Sequence, residues 1–187
     1  MLRKIGIGAV VFLLVLIIAA CAGPTPAPAP APTPTPSPNS TPPPILNPKP
    51  SGPIEATWIE PQLDGDTVFI PVSEIEDNWN THFKLRTKVD GTSYRINFMA
   101  YILDGEIYVR SNVCPPCRSV GFALESDILV CDTCRTTFKA KTGDGIKGAC
   151  VDYPKAAIPY EITDGQLVMN GTDLITAYQD TLNPGLP

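Results

Sequence analysis

From Thr67 onward the chain alternates between short apolar, β-branched runs and turn dipeptides. The runs include 67–70, 83–89, 94–103, 107–109, 128–130 and 166–169. Between them stand Asp64-Gly65, Asp90-Gly91, Asp104-Gly105, Gly143-Asp144-Gly145, Asp164-Gly165 and Asn170-Gly171. In the longest run Tyr94, Ile96, Phe98, Ala100 and Ile102 alternate with Arg95, Asn97, Met99 and Tyr101, the period of a half-buried strand. Short strands joined by such turns predict an all-β domain of antiparallel hairpins. Two helical pieces are expected. One is a single turn at 73–77, where Ser73 and Glu76 fit a capping box, and the other is a short C-terminal helix from about Asp173 to Thr181.

The N-terminus follows a different pattern. Arg3 and Lys4 precede an apolar run, Ile5 to Ile18, broken only by Gly6 and Gly8, and Ile18-Ala19-Ala20-Cys21 closes it. This order predicts a secretory signal over residues 1–20, too short for a comfortable membrane span. The alternative is an uncleaved anchor helix, and both readings put the rest of the chain outside the cytoplasmic membrane. Residues 21–53 hold Cys21 and a proline-rich linker almost without large apolar residues. Such a segment favours polyproline II and reaches on the order of 100 Å. The predicted folded domain is 54–187.

Removing the signal takes the net charge from −5 to −7, since it contains Arg3 and Lys4 and no acidic residue. An acidic chain without a basic run argues against a nucleic-acid partner. One histidine, His82, and no Ser/His/Asp constellation leave no hydrolase site, and no catalytic residue is assigned. His82, in a polar stretch before a strand, is not expected to be a ligand. The aspartates at turns serve backbone geometry.

The chemistry lies in the cysteines. Cys114-Pro-Pro-Cys117-Arg118 and Cys131-Asp-Thr-Cys134-Arg135 are separated by thirteen residues. Two residues between cysteines let a tight turn aim both sulfurs at one point. Two such knuckles supply four soft thiolates, suited to zinc, a single iron or an iron–sulfur cluster. In an oxidising compartment the same four are open to structural disulfides, and a redox dithiol is a third reading. Arg118 and Arg135 either offset the thiolate charge or are solvated surface residues. Pro115 and Pro116 lack N–H groups, so the first knuckle should receive fewer N–H···S bonds than the second. Cys150, the fifth cysteine of the domain, is read as a thiol over the metal site, a buried inert thiol, or a partner for another chain.

Several motifs carry resemblances. Ile18-Ala19-Ala20-Cys21 resembles the lipobox of bacterial lipoproteins, which implies a lipidated Cys21 and an anchor on the extracytoplasmic face of the cell membrane. The order IPVSEIED, DGEIYVRSNVCPPC, DILVCDTCRTTFKAKTGDGIKGAC and AIPYEITDGQLVMN resembles a Rieske-type domain. That implies a Rieske-like antiparallel sandwich with two metal-binding loops. Rieske loops each supply one Cys and one His, and here Cys117 and Cys134 stand where that family has its histidines, so a His₂Cys₂ cluster is impossible. Carried across, the arrangement implies one iron held by Cys114 with Cys131 and the other by Cys117 with Cys134.

The two Cys-x-x-Cys motifs, the 121–127 hairpin, Phe138 and Gly148-Ala149-Cys150 with Pro154 more closely resemble the FtrD-like membrane iron–sulfur proteins. Members of that family are taken to be redox proteins, often encoded beside iron-uptake components. The resemblance implies an electron-transfer protein rather than an enzyme, with metal ligands Cys114, Cys117, Cys131 and Cys134 and with Cys150 in the cofactor site. It further implies a redox partner protein and a link to an iron-uptake component. Known members span the membrane several times, whereas this chain carries one predicted lipid anchor. The competing classes are a zinc-stabilised Cys₄ binding or scaffold module and a disulfide-stapled β domain.

Overall fold

The computed structural model describes residues 48–89 and 92–186. The expected signal peptide, Cys21, most of the linker and the Asp90-Gly91 turn lie outside them. Residues 48–53 are exposed, and Ile54 is the first buried side chain. Its backbone N–H and C=O both pair with Leu124 at 2.9 Å.

The all-β expectation holds, with a short C-terminal helix. Among the described residues the strands form three four-stranded sheets. The first has the order β1 (Thr57–Trp58), β4 (Asn80–Val89), β5 (Thr92–Leu103), β6 (Glu106–Ser111). The second runs β10 (Gly145–Lys147), β9 (Thr137–Lys139), β8 (Ile128–Cys131), β7 (Phe122–Glu125). The third runs β11 (Glu161–Thr163), β12 (Gln166–Asn170), β3 (Thr67–Pro71), β2 (Gln62–Asp64). Pairing is antiparallel except for the two-residue match of β1 to β4. Asp104 and Gly105 both have positive φ, 52° and 83°, the backbone of the tight turn that joins β5 to β6.

Three local expectations are corrected. Strand β5 is half-buried only at its start. Tyr94 and Arg95 are exposed, but every residue from Ile96 to Leu103 is buried, so the strand's inner half is covered on both faces. The Tyr101 hydroxyl donates to the Ala140 carbonyl at 2.6 Å, which ties this sheet to the segment after β9. The first helix, α1 (Val72–Asn78), starts two residues earlier than the capping box requires; its N-cap is Pro71, without a side-chain cap bond. Asn170-Gly171 is not a hairpin turn. Asn170 caps α2 (Gly171–Leu182), its side chain accepting the Thr172 N–H at 2.8 Å.

Phe83, Phe98, Tyr101, Phe122, Phe138, Ile70 and Ile75 are fully buried and belong to one contiguous core. Cys114, Cys131 and Cys150 are part of that core. The site is therefore built into the buried core, where side chains have few alternative positions. Among the described residues no helix is long and apolar enough to cross a membrane.

Candidate metal centre

Three connections converge on the site. The segment from β6 to β7 carries Cys114 and Cys117, the end of β8 carries Cys131 with Cys134 just beyond, and the loop after β10 carries Cys150. The two knuckles have the same backbone. Cys114 N–H donates to Ser119 O at 2.8 Å and Arg118 N–H to Cys114 O at 2.7 Å. Cys131 N–H donates to Thr136 O at 2.9 Å and Arg135 N–H to Cys131 O at 3.0 Å. Each arginine takes a left-handed conformation, φ 59° and 57°, which few non-glycine residues adopt. These paired bonds hold it there.

Both arginine side chains are exposed, and Arg135 turns to Glu125 at 3.5 Å. Their backbones close the knuckles, while their charges face solvent. Backbone groups bear more on the second knuckle: those of Cys134 and Thr133 favour the Cys131 thiolate, and that of Thr136 favours the Cys134 thiolate. Pro116 stands where the second knuckle has Thr133, and in the first knuckle Ser119 supplies a backbone N–H to Cys117.

All five cysteines of the domain are free thiols, with Cys114, Cys131 and Cys150 buried and Cys117 and Cys134 half-buried. Sulfur contacts are 4.0 Å for Cys114–Cys134, 3.7 Å for Cys117–Cys131 and 3.6 Å for Cys134–Cys150. The Sγ atoms of Cys114, Cys117, Cys134 and Cys150 all lie within 4.8 Å of one another. Cys131 is outside that tight group but touches it through Cys117. The contacts run across both pairs that the Rieske-type arrangement implies. Cys150 is thus in the cluster itself, not buried elsewhere.

The backbone that delivers Cys150 is constrained. Gly148 has φ +125°, and a Cβ there would run into Thr136. Thr136 is fully buried; its hydroxyl oxygen accepts the Cys150 N–H at 3.2 Å and lies 3.1 Å from Cys134 Sγ. One hydroxyl therefore fixes both the second knuckle and the third loop.

Proton sharing polarises the cluster. A hydrogen bond from Cys114 pulls Cys131 down to about 4, even though burial opposes its charge. The same bond, followed by burial, pushes Cys114 far up. Burial lifts Cys117 to about 11. Burial also opposes ionisation of Cys134, but the Thr136 hydroxyl and N–H outweigh it and hold this thiol low. Thiolates form most readily at Cys131 and Cys134, so the second knuckle is the part of the site readiest to take a cation.

Lys155 was not singled out in the sequence and proves central. It is fully buried, and its ammonium donates to Val113 O at 2.8 Å and Tyr153 O at 2.7 Å. It lies over the Phe138 ring at 4.3 Å and the Phe122 ring at 5.4 Å. Burial lowers its pKa to about 8, against the opposing pull of Cys114, Cys131, Cys150 and Cys117. A signal was available: Lys155 is the lone charge in Tyr153-Pro154-Lys155-Ala156-Ala157-Ile158-Pro159.

His82 is corrected in position. It lies inside β4, fully buried, with Nδ1 3.2 Å from Asn112 Nδ2 and its ring edge-on to Trp58 at 5.3 Å. Burial holds its pKa down at about 4. It is absent from the sulfur group.

The donor set is all sulfur and compact. A tetrahedron of metal–sulfur bonds near 2.3 Å has edges of about 3.8 Å, so sulfurs in mutual contact need little movement to enclose a soft metal. The residues present fit an iron–sulfur or other thiolate-bound centre.

Residues 75–180 match the family described as membrane iron-sulfur containing protein FtrD-like. No curated protein matches the chain. Similar solved structures include a chain of the complex of reduced oxygenase and oxidized ferredoxin in carbazole 1,9a-dioxygenase, at 18% identity. That match covers 47% of this chain and 80% of the other, with a TM-score of 0.37. The ferredoxin of Sphingomonas yanoikuyae B1 is 20% identical over 46% of this chain and 83% of its own, also with a TM-score of 0.37.

Proposed function

The chain belongs to the family of FtrD-like membrane iron–sulfur proteins, and from that premise we propose that it is an extracytoplasmic lipoprotein passing electrons in the service of iron uptake. The observation that carries the reading is the gathering of free thiols from two matched knuckles and a third loop into one contact cluster. Cys114, Cys117, Cys131 and Cys134 are the proposed ligands, with Cys150 beside Cys134 as the exchangeable fifth thiol. Residues 1–20 are the proposed signal, Cys21 the lipidated terminus, residues 22–53 the stalk and 54–187 the domain that binds the metal.

An iron–sulfur centre, when bound, supplies a site that accepts and returns one electron. The chain's own residues do the rest. The knuckles present sulfur in a fixed array, and the N–H groups of Ser119, Thr133, Cys134 and Thr136 stabilise thiolate charge. The core around Cys114, Cys131 and Cys150 excludes water. Cys117 and Cys134, being half-buried, form the side of the cluster nearest solvent, where a redox partner would dock. All-thiolate ligation predicts a potential below that of a His-ligated centre, because it keeps more negative charge on the metal.

A second reading has one observation in its favour: four sulfurs within 4.8 Å of one another also suit a single tetrahedral zinc. In that case the site would hold the loops of a binding or scaffold module. The test is anaerobic purification of the chain, with a visible spectrum and iron, zinc and acid-labile sulfide analysis. Iron with sulfide and a thiolate-to-iron band is expected. Stoichiometric zinc without colour would replace the electron-transfer reading with the scaffold. Metal-free protein with its thiols oxidised would replace both with a disulfide-stapled domain. Loss of palmitate labelling in Cys21→Ser tests the anchor.

A further inference from the structure

A buried lysine is costly unless something compensates its charge. Among the described residues Lys155 joins no ion pair; the carboxylates in ion pairs face Lys84, Arg135 and Lys139 instead. Its direct partners are two carbonyls and two aromatic faces. Those carbonyls have telling places in the chain. Val113 directly precedes Cys114, and Tyr153 follows Cys150 by three residues and donates its N–H to Cys150 O at 3.2 Å. The rings also belong to the site: Phe122 pairs with Cys131 across β7 and β8, and Phe138 lies in β9, the strand after the second knuckle. The ammonium is therefore clamped among the segments that deliver all three groups of thiols.

We propose that Lys155 is the built-in counter-charge of the thiolate centre, a positioning residue that favours the reduced state by holding one positive charge in the dry core behind the sulfurs. The inference rests on the electron-transfer reading above. Four thiolates leave the centre net negative, and taking one electron from a one-electron donor protein adds one more negative charge. No bond forms or breaks and no proton moves. The Lys155 charge is unchanged in both states, and because it is fixed beforehand it stabilises the more negative one more. The two exposed arginines are screened by water and contribute far less.

The test is a potentiometric titration of the iron-loaded full chain as wild type, Lys155→Met, Lys155→Gln and Lys155→Arg. Lys155→Met should shift the equilibrium at least tenfold toward the oxidised form, a fall of about 59 mV or more for a one-electron couple. Lys155→Gln, which keeps a donor for the carbonyls but drops the charge, should fall likewise, and Lys155→Arg should stay near wild type. A purely structural role predicts the opposite sign. Loosening the core admits water, which stabilises negative charge and raises the potential. An unchanged or raised potential in both neutral variants would therefore overturn the proposal and leave the electron-transfer reading intact.

A parallel measurement needs no redox activity: cadmium affinity of the metal-free chain at fixed pH. At least tenfold weaker binding in both neutral variants, restored by Lys155→Arg, is expected; equal binding overturns the proposal. If wild type shows no reversible one-electron wave, the electron-transfer reading fails. The cadmium result then decides the role of Lys155 alone.

Discussion

Replacing Thr136 by valine tests the joint between the second knuckle and the third loop with almost no change in shape. The hydroxyl accepts the Cys150 N–H at 3.2 Å and lies 3.1 Å from Cys134 Sγ, to whose thiolate it can donate. Both Thr136 and Cys150 are buried, so water cannot replace the lost acceptor. An orphaned buried N–H costs about 1–3 kcal/mol, and a lost hydrogen bond at sulfur adds about 1 kcal/mol, giving about 2–4 kcal/mol in all. With a urea m-value of about 1.5–2 kcal/mol per molar, the unfolding midpoint of the reduced, metal-free chain should drop by roughly 1–3 M. Cys134 also loses its strongest stabiliser, so its pKa should rise and its alkylation by iodoacetamide at neutral pH should slow. Thr136→Ser should restore both properties. A midpoint within experimental error of wild type, with unchanged alkylation, would refute the idea that this hydroxyl ties the two segments together.

Other outcomes follow from the same geometry. Cys131→Ser should abolish stoichiometric metal binding while Cys150→Ser keeps it, as metal analysis would show; the reverse result would put Cys150 in the ligand set in place of Cys131. Arg110→Met should destabilise the fold by about 2–5 kcal/mol in urea unfolding, because buried Arg110 is the donor to the carbonyls of Lys155 and Lys141 and also binds the Tyr101 hydroxyl. Phe138→Ala should cost about 3–5 kcal/mol through the cavity it leaves beneath Lys155. His82 gives a pH signature. Its folded pKa, about 4, is below the ordinary 6.5, so its contribution is complete above pH 6.5 and lost as pH falls toward 4. Across that window about 3 kcal/mol should disappear, and His82→Gln should flatten the slope of unfolding free energy against pH there.

The sequence made the site more legible than the sheets that carry it, for a physical reason. Metal ligation is a local constraint on residue type and spacing, so two Cys-x-x-Cys motifs with matching arginines announce two matching turns. Strand position is set by what covers each face. The alternation in 94–103 reads as one wet face and one dry face, yet Met99 and Tyr101 are as buried as Phe98 and Ala100, and the Tyr101 hydroxyl reaches the segment after β9 at Ala140. Strands β9, β10 and β11 have three residues each, too few to display a period. The capping box failed in a similar way. Pro71 starts the helix with its fixed backbone angle, so Ser73 falls inside the first turn and no longer caps it.

What sequence reasoning could not assign was the electrostatic sign of the core. Arg118 and Arg135 lie next to the ligands in the chain and invite the role of counter-charge, but both side chains are exposed, and Arg135 pairs with Glu125. The charge that faces the thiols enters from Lys155, held by carbonyls near Cys114 and Cys150 and by rings from β7 and β9. None of these partners is close to it in the sequence except Tyr153. A long cation in an apolar run between Pro154 and Pro159 has nowhere polar to go within its own segment. It can be buried only if the rest of the fold supplies acceptors. Here those acceptors are the backbones that fix the ligand loops, so the lysine's desolvation and the centre's negative charge relieve each other. Removing either should make the other harder to accommodate.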